Sequence, residues 1–194
     1  RVLFRSELYN DVTNIREKAF KATFEIKGKA LYGKLPVAFD MMREILMESK
    51  LDDGKRIREI LAMLKSRLLM KFQSSGHVTA VLRAQSYASP AAKLKDMTNG
   101  IAFYETVSYL EEHFEEEKEK LSEKLIDLSK KLFRGDNMML SYTAAKEGLE
   151  DLEIMVEKLK NSLHTQVSEE SRCVIHCEKK NEGFKTASKV QYVA

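Results

Sequence analysis

The chain has 194 residues, 43% of them hydrophobic, so it is long and apolar enough for one globular domain and is not a disordered tail. Its 33 lysines and arginines nearly balance 30 aspartates and glutamates, and the net charge of +3 gives no reason to expect a polyanionic partner. Two prolines and eight glycines exclude collagen-like and Pro/Gly-rich linker classes and leave long stretches free to form helices.

The N-terminal region is predicted to contain two strands. Residues 2–9 alternate apolar and charged side chains, although a helix over 6–18 is a rival interpretation. Residues 19–27 alternate more clearly, because apolar side chains recur at every second position from Phe20 to Ile26 with charges between them. This pattern predicts a half-buried strand.

The middle of the chain has the apolar spacing of helices. One helix is predicted from Pro36 to about Lys50, and a second, capped by Asp52 or Asp53, runs to about Phe72. The run 74–76 (SSG) is expected to break this helix and to cap the next one, over 78–87. Further helices are predicted over 91–97, 101–113 and 115–132.

The C-terminal region is predicted to return to a strand over 138–143 and then to form a helix over 145–164. Residues 165–181 are polar without periodicity, apart from the short β-like run 173–175, and are the best candidate linker. The resulting order of elements favours an α+β fold of two layers, with multiple helices packed on a small antiparallel sheet.

The two cysteines, Cys173 and Cys177, are too few for a multi-bridge secreted module and suit a reducing compartment, so cytoplasm or an organelle matrix is favoured. No apolar run approaches the roughly 18 residues needed to cross a bilayer. The chain starts at Arg1 without a signal-peptide pattern, and we expect that both ends are cut from something longer.

Metal and catalytic motifs are absent from the sequence. No two of the four histidines stand four residues apart, which excludes H-E-x-x-H and its inverse H-x-x-E-H. His113 and Glu116 are three apart, but within an acidic run that is typical of a solvated face. Cys173, His176 and Cys177 could supply metal ligands, yet no second cluster completes a tetrahedron, and inert thiols are the preferred interpretation. We therefore assign no catalytic, cofactor-binding or metal-ligating residue.

Two surfaces have a binding alternative. The basic residues of the second predicted helix could contact phosphates, but acidic neighbours and the lack of interleaved aromatic residues favour a water-facing surface. The methionines near the first predicted helix are core material by default and could otherwise line a pliable peptide-binding surface. The basic set is Lys55, Arg56, Arg58, Lys65, Arg67 and Lys71, and the methionines are Met41, Met42 and Met47.

Several ordered motifs resemble a non-catalytic region of presequence-protease-type metallopeptidases, which form, with falcilysin, a branch of the insulinase (pitrilysin) zinc metallopeptidases. The motifs are FEIKGKAL at 24–31, DDGKRIREIL at 52–61, KSR at 65–67, SSGH at 74–77, RAQSYASP at 83–90, GIAFY at 100–104 and LSYT at 140–143. They cover roughly residues 1–165.

The resemblance implies a clam shell of four related α+β domains that encloses and degrades short unfolded peptides. Its first domain carries the inverse zinc motif, and its later half closes the chamber. This chain would supply most of the third, half-chamber domain over 1–165, a linker over 166–183 and the first strand of the following domain over 184–194. No zinc residue of the family has a matching position here.

The sequence thus predicts a non-catalytic fragment that forms chamber wall, with zinc only in the parent enzyme. Its expected partners are the remaining domains of the parent protease and, in the full enzyme, an unfolded peptide, with no nucleic acid or membrane and with self-association of the fragment. The predicted location is cytoplasmic, with the mitochondrial or plastid matrix as the alternative. The rival function is a stand-alone helical protein-interaction or scaffold module, supported by amphipathic helices without a reaction motif.

Overall fold

The computed structural model describes residues 3–14, 19–145, 149, 151–165, 174–185 and 192. Strands β1 (Leu3–Asn14) and β2 (Ala19–Lys29) come first and are followed by a 3-10 turn at Tyr32–Lys34. The helices are α1 (Leu35–Met47), α2 (Gly54–Ser74), α3 (Gly76–Ser86), α4 (Pro90–Asn99), α5 (Ile101–Glu112), α6 (Phe114–Leu132) and α7 (Leu152–Ser162), with a second 3-10 turn at Gly135–Asn137.

The two strands pair with each other in a two-stranded sheet. Only positions 15–18 separate them, and a connection this short permits antiparallel pairing alone. The rival prediction of a helix over 6–18 is wrong as far as Asn14, and positions 15–18 lie outside the described residues.

One compact unit consists of Arg1–Glu7, Phe24–Asp52 and Glu119–Glu170. Its core joins Leu35 and Phe39 of α1 to Leu159 and Leu163 at the end of α7. These apolar positions lie about one helical turn apart on each helix, so each helix presents one apolar stripe to the other. Seven partly buried apolar side chains close the sides of this core: Leu46, Met47, Met138, Tyr142, Leu152, Met155 and Val156.

The other unit consists of Leu8–Thr23, Asp53–Lys118 and Ser171–Ala194. Helix α4 packs against both α3 and α5, and α5 also packs against α2. Among its described residues, the buried apolar side chains are Leu61, Leu68, Ile101, Val107 and Phe114. The predicted cap at Asp53 is confirmed, since its Oδ1 accepts a hydrogen bond from the Arg56 backbone N–H at 3.0 Å.

The predicted two-layer α+β fold is wrong, because the described part of the chain is mostly helical. The two strands pair with each other, and the helices pack on one another, α4 against α3 and α5, α2 against α5, and α1 against α7. Residues 138–143, predicted as a strand, have no regular structure. Met138 and Tyr142 pack instead against the α1 and α7 core, which buries part of their apolar surface.

The boundaries that differ from the predicted ones include the start of the last helix and the break after α2. The last helix begins at Leu152 rather than at 145, with positions 146–148 and 150 outside the described residues. The expected helix break is shorter than predicted, since Ser75 alone separates α2 from α3. The proposed domain boundaries at 165 and 183 remain predictions. Within the described residues, no helix combines the length and apolar character needed to cross a membrane.

Candidate functional site

A buried ion cluster centred on Arg83 is the most distinctive polar feature of the unit that contains α3. Arg83 lies on α3 and is 8% exposed, because α3 is rich in small residues and packs closely on α4. Its Nη1 donates a hydrogen bond of 2.7 Å to Oδ2 of Asp96 on α4. The Asp96 side chain is 0% exposed, so this carboxylate depends on protein donors alone.

The second oxygen of Asp96 is used at the start of α5. Oδ1 accepts the backbone N–H of Ile101 at 2.9 Å, which satisfies one of the N–H groups that a helix N-terminus leaves unpaired. Gly100 makes this approach possible, because a Cβ at position 100 would lie 2.2 Å from Asp96 Oδ1 and 2.9 Å from Asp96 Cα. One buried carboxylate therefore joins α3, α4 and α5.

Glu182 supplies the second carboxylate of the cluster from the segment 174–185. Arg83 Nε and Nη2 donate to Glu182 Oε2 at 2.9 Å and 2.7 Å, and Nη2 also lies 3.0 Å from Oε1. This is the two-pronged geometry in which a guanidinium matches a carboxylate best. The rings of Tyr87 and Phe184 lie 5.9 Å and 5.5 Å from the guanidinium carbon, within the range of cation–π attraction.

Opposing effects set the ionisation of the cluster. Burial disfavours the charged form of Arg83, but hydrogen bonds to Glu182 and Asp96 outweigh it and leave the pKa of Arg83 raised. Burial likewise acts to raise the pKa of Glu182, and the bond to Arg83 outweighs it, so that the pKa of Glu182 is lowered. Both groups are therefore charged at neutral pH.

The chemistry available to this cluster is structural. A guanidinium held by two carboxylates neither gives up a proton near neutral pH nor attacks a substrate. Sequence reasoning placed Arg83 in a motif without assigning it a role, and it did not single out Asp96 or Glu182. The available signal was local: an aspartate four residues before a glycine that precedes the helix beginning at Ile101.

Three of the four histidines have contacts of their own in the structure. His77 is in the first turn of α3, 6.1 Å from the Tyr192 ring. His113 stacks on Tyr109 at 4.5 Å, and the His164 backbone N–H donates to the Phe133 carbonyl at 3.0 Å. Within the ranges described, no group of three or more His, Cys, Asp or Glu side chains could hold a metal ion.

The structure describes two of the three residues Cys173, His176 and Cys177. Cys177 is a half-buried free thiol, and His176 is exposed. Cys173 lies outside the described residues, so the three-residue ligand set considered from the sequence stays untested.

Four of the six basic residues considered for phosphate binding have acceptors of their own. Each of the four lies on α2, and three of them face carboxylates: Arg56 pairs with Glu59 at 2.9 Å, Arg58 with Glu115 at 3.3 Å, and Lys65 with Glu111 and Glu112 at 2.9 Å and 3.1 Å. Lys71 donates to the backbone carbonyl and side-chain oxygen of Asn99 at 2.8 Å and 3.0 Å. Because three of these cations already pair with carboxylates, the interpretation of α2 as a water-facing surface is favoured over phosphate binding.

Two smaller expectations can be compared with the structure. Met47 packs against the α1 and α7 core, Met42 is half-buried and Met41 is partly exposed, so the three do not line one open surface. Ser75 precedes α3 as predicted, but its side chain makes no capping hydrogen bond. Ser74 Oγ donates instead to the Lys71 carbonyl at 3.3 Å.

The fold and the ion cluster together define a helical module in which the buried charged side chains hold helices together. A family model that describes the region associated with peptidases of family M16, subfamily C, matches residues 2–110, more than half of the chain. The chain therefore belongs to this peptidase-associated family, as its resemblance to insulinase-type peptidases predicted.

Named relatives agree with this assignment at modest identity. Protein HypA of Clostridium perfringens is 29% identical over 92% of this chain and 18% of its own length. Presequence protease 1 of Arabidopsis thaliana, chloroplastic/mitochondrial, is 23% identical over 69% of this chain and 12% of its length. The mitochondrial presequence protease of Drosophila melanogaster is 26% identical over 70% and 13%. The chain thus spans less than a fifth of the length of these curated relatives.

Proposed function

We propose that this chain is a non-catalytic part of an insulinase-type zinc metallopeptidase that encloses and degrades short peptides. In this proposal the chain forms part of the chamber wall and contacts neighbouring domains of the parent enzyme. The observation that carries the proposal is the match of the peptidase-associated family model to residues 2–110. The names of two relatives, both presequence proteases, support a peptidase as the parent.

The small share of each relative supports a role within a longer protein. The chain corresponds to 12–18% of the three relatives described above. A wall segment of that size needs no reaction motif of its own, because catalysis depends on how the parent assembles its site around an enclosed peptide. Zinc then belongs to the parent, bound outside the motifs of this chain.

Exposed apolar side chains support contacts with neighbouring domains. Met139 is 81% exposed and Leu31 and Ile154 are more than two thirds exposed in one unit, and Met70 and Val78 are more than half exposed in the other. Single exposed apolar residues are ordinary, but several strongly exposed ones on each unit suit surfaces that become covered in a larger assembly. Separated from the parent, these surfaces would promote self-association.

The proposed location follows the relatives rather than the first expectation from composition. Two relatives are named as chloroplastic/mitochondrial or mitochondrial, which agrees with the organelle-matrix alternative and not with the cytoplasm. A reducing organelle matrix also suits the free thiol of Cys177.

The test compares the parent enzyme with the isolated chain. The coding sequence around residue 1 should extend upstream to an H-x-x-E-H motif. The purified parent should then hydrolyse a quenched fluorogenic peptide in a chelator-sensitive way, and a parent from which residues 1–165 are deleted should lose this activity. The isolated 194-residue chain should show none at equal molarity.

Three results would contradict the proposal. Chelator-sensitive cleavage by the isolated chain would show that it is catalytic. Stop codons close to both ends of the coding region would instead support the stand-alone scaffold. A deletion variant that remains folded and fully active would show that the segment is not part of the chamber.

A further inference from the structure

We propose that residues 174–185 are an anchored strap, held in place on α3 by Arg83, rather than a free connection between domains. The inference rests on the proposed function in one respect: in a longer parent, this segment would lead toward the following domain. The anchoring itself concerns this chain alone. It follows from how the hydrogen-bonding groups of the ion cluster are shared.

Asp96 alone does not satisfy all the donors of Arg83. One oxygen of Asp96 accepts the Ile101 backbone N–H at 2.9 Å, so only the other faces the guanidinium, at 2.7 Å from Nη1. The Nε and Nη2 donors of Arg83 are left for another acceptor. Since Arg83 is buried, donors without a partner there would be costly.

The strap supplies this acceptor. Glu182 accepts from both remaining donor groups, from Nε through Oε2 and from Nη2 through both oxygens, with its side chain only 18% exposed. Phe184, two residues further on, lies 5.5 Å from the same guanidinium. A connection that merely spans a gap would have no reason to place a carboxylate and an aromatic ring on one buried cation.

A second attachment lies at the other end of α3. The Tyr192 ring lies directly over Gly76, where a Cβ would be 2.4 Å from two ring carbons. Gly76 and Arg83 are seven residues apart, a distance of about 10 Å along a helix. Glu182 and Tyr192 therefore contact α3 near its two ends, at Arg83 and at Gly76.

Trypsin provides a direct test, because Lys179 and Lys180 lie within the strap just before Glu182. A protease cuts a seated segment only when it opens, and the cutting rate follows the open population when opening is fast. For the full 194-residue chain, the rates of cleavage after Lys179 and Lys180 are measured by mass spectrometry. The same two cleavage rates are measured for a synthetic peptide of residues 174–185. The protection factor at each site is the cleavage rate of the peptide divided by that of the chain.

The variants separate anchoring from sequence effects. Glu182→Gln removes the charge but keeps the size, and its matched peptide corrects for any preference of trypsin near the cut bond. Arg83→Lys leaves the strap sequence unchanged but cannot form the two-pronged contact. Glu59→Gln is the control, because it removes the carboxylate of an exposed pair with Arg56 elsewhere in the same unit.

The strap of the unaltered chain should be protected about ten-fold or more, and loss of one charged hydrogen-bonded contact should lower that protection about ten-fold. Both cluster variants should show the loss, and Glu59→Gln should not. Equal cleavage of the unaltered chain and its peptide, or full protection in Glu182→Gln, would overturn the proposal. No peptidase activity enters this assay, so its failure is distinct from failure of the proposed function.

Discussion

Replacing Arg83 by Met is expected to destabilise the unit that contains α3 far more than replacing any exposed arginine. Methionine keeps much of the apolar stem, so the main loss is the guanidinium itself. Among the described residues, the Asp96 carboxylate would then keep one donor, the Ile101 backbone N–H, in a site that is 0% exposed. Removing one partner of a buried ion pair costs about 3–5 kcal/mol, since the remaining charge is left uncompensated.

Two further variants test how much of this loss of stability comes from the uncompensated charge of Asp96. Asp96→Asn in the Arg83→Met background removes the buried charge while its amide oxygen can still accept from Ile101, so the double variant should regain about 1–2 kcal/mol relative to Arg83→Met. Arg56→Met is the matched control: its side chain is 65% exposed in a surface pair, and its cost should stay within about 0.5 kcal/mol.

The free energy of unfolding is measured by urea denaturation, followed by circular dichroism of the helices, at neutral pH for all four chains. The expected order of stability is unaltered chain and Arg56→Met together, then the double variant, then Arg83→Met. A cost below about 1 kcal/mol for Arg83→Met, or a double variant less stable than the single one, would refute the reasoning that an uncompensated buried carboxylate dominates.

Three other outcomes follow from the same structure. Gly100→Ala should cost about 2 kcal/mol or more in urea denaturation, because its Cβ would lie 2.9 Å from Asp96 Cα, whereas Gly33→Ala, which meets no atom within 4 Å, should be nearly neutral. The pKa of Glu182 is lowered from 4.5 in the folded chain, so its contribution to stability is complete above pH 4.5 and is lost as pH falls through the folded pKa. The difference in unfolding free energy between the unaltered chain and Glu182→Gln should therefore shrink between pH 7 and pH 3. A difference that stays constant over this range would contradict the ion pair. Leu159→Ala should cost about 2–4 kcal/mol in thermal or urea unfolding because Leu159 is buried in the α1 and α7 core, and a near-neutral result would show that this core is not close-packed.

Much of the helical architecture was predictable because helix signals are local. The cap lies at Asp53 as predicted, and the helices predicted to begin at 91 and 101 begin at Pro90 and Ile101. The prediction of a strand over 138–143 is wrong because a strand is stable only beside another strand, and apolar side chains of this segment pack against α1 and α7.

The ion cluster was beyond sequence reasoning for a related reason. Arg83 and Asp96 are 13 residues apart, and Arg83 and Glu182 are 99 apart. An arginine in a helix and a glutamate in a polar stretch each have the pattern of surface residues, because charged side chains are rarely buried unless they are paired. Only the packing of α3 on α4 shows that Arg83 and Asp96 are buried together.

The sequence by itself determined the positions of most helices, the absence of a zinc-peptidase motif and the family to which the chain belongs, since each depends on neighbouring residues or on short ordered motifs. The tertiary structure decided which charged residues are buried, that helices pack on helices rather than on a broad sheet, and where residues 174–185 lie. These depend on contacts between residues far apart in the chain, whose free energy exists only when the chain is folded.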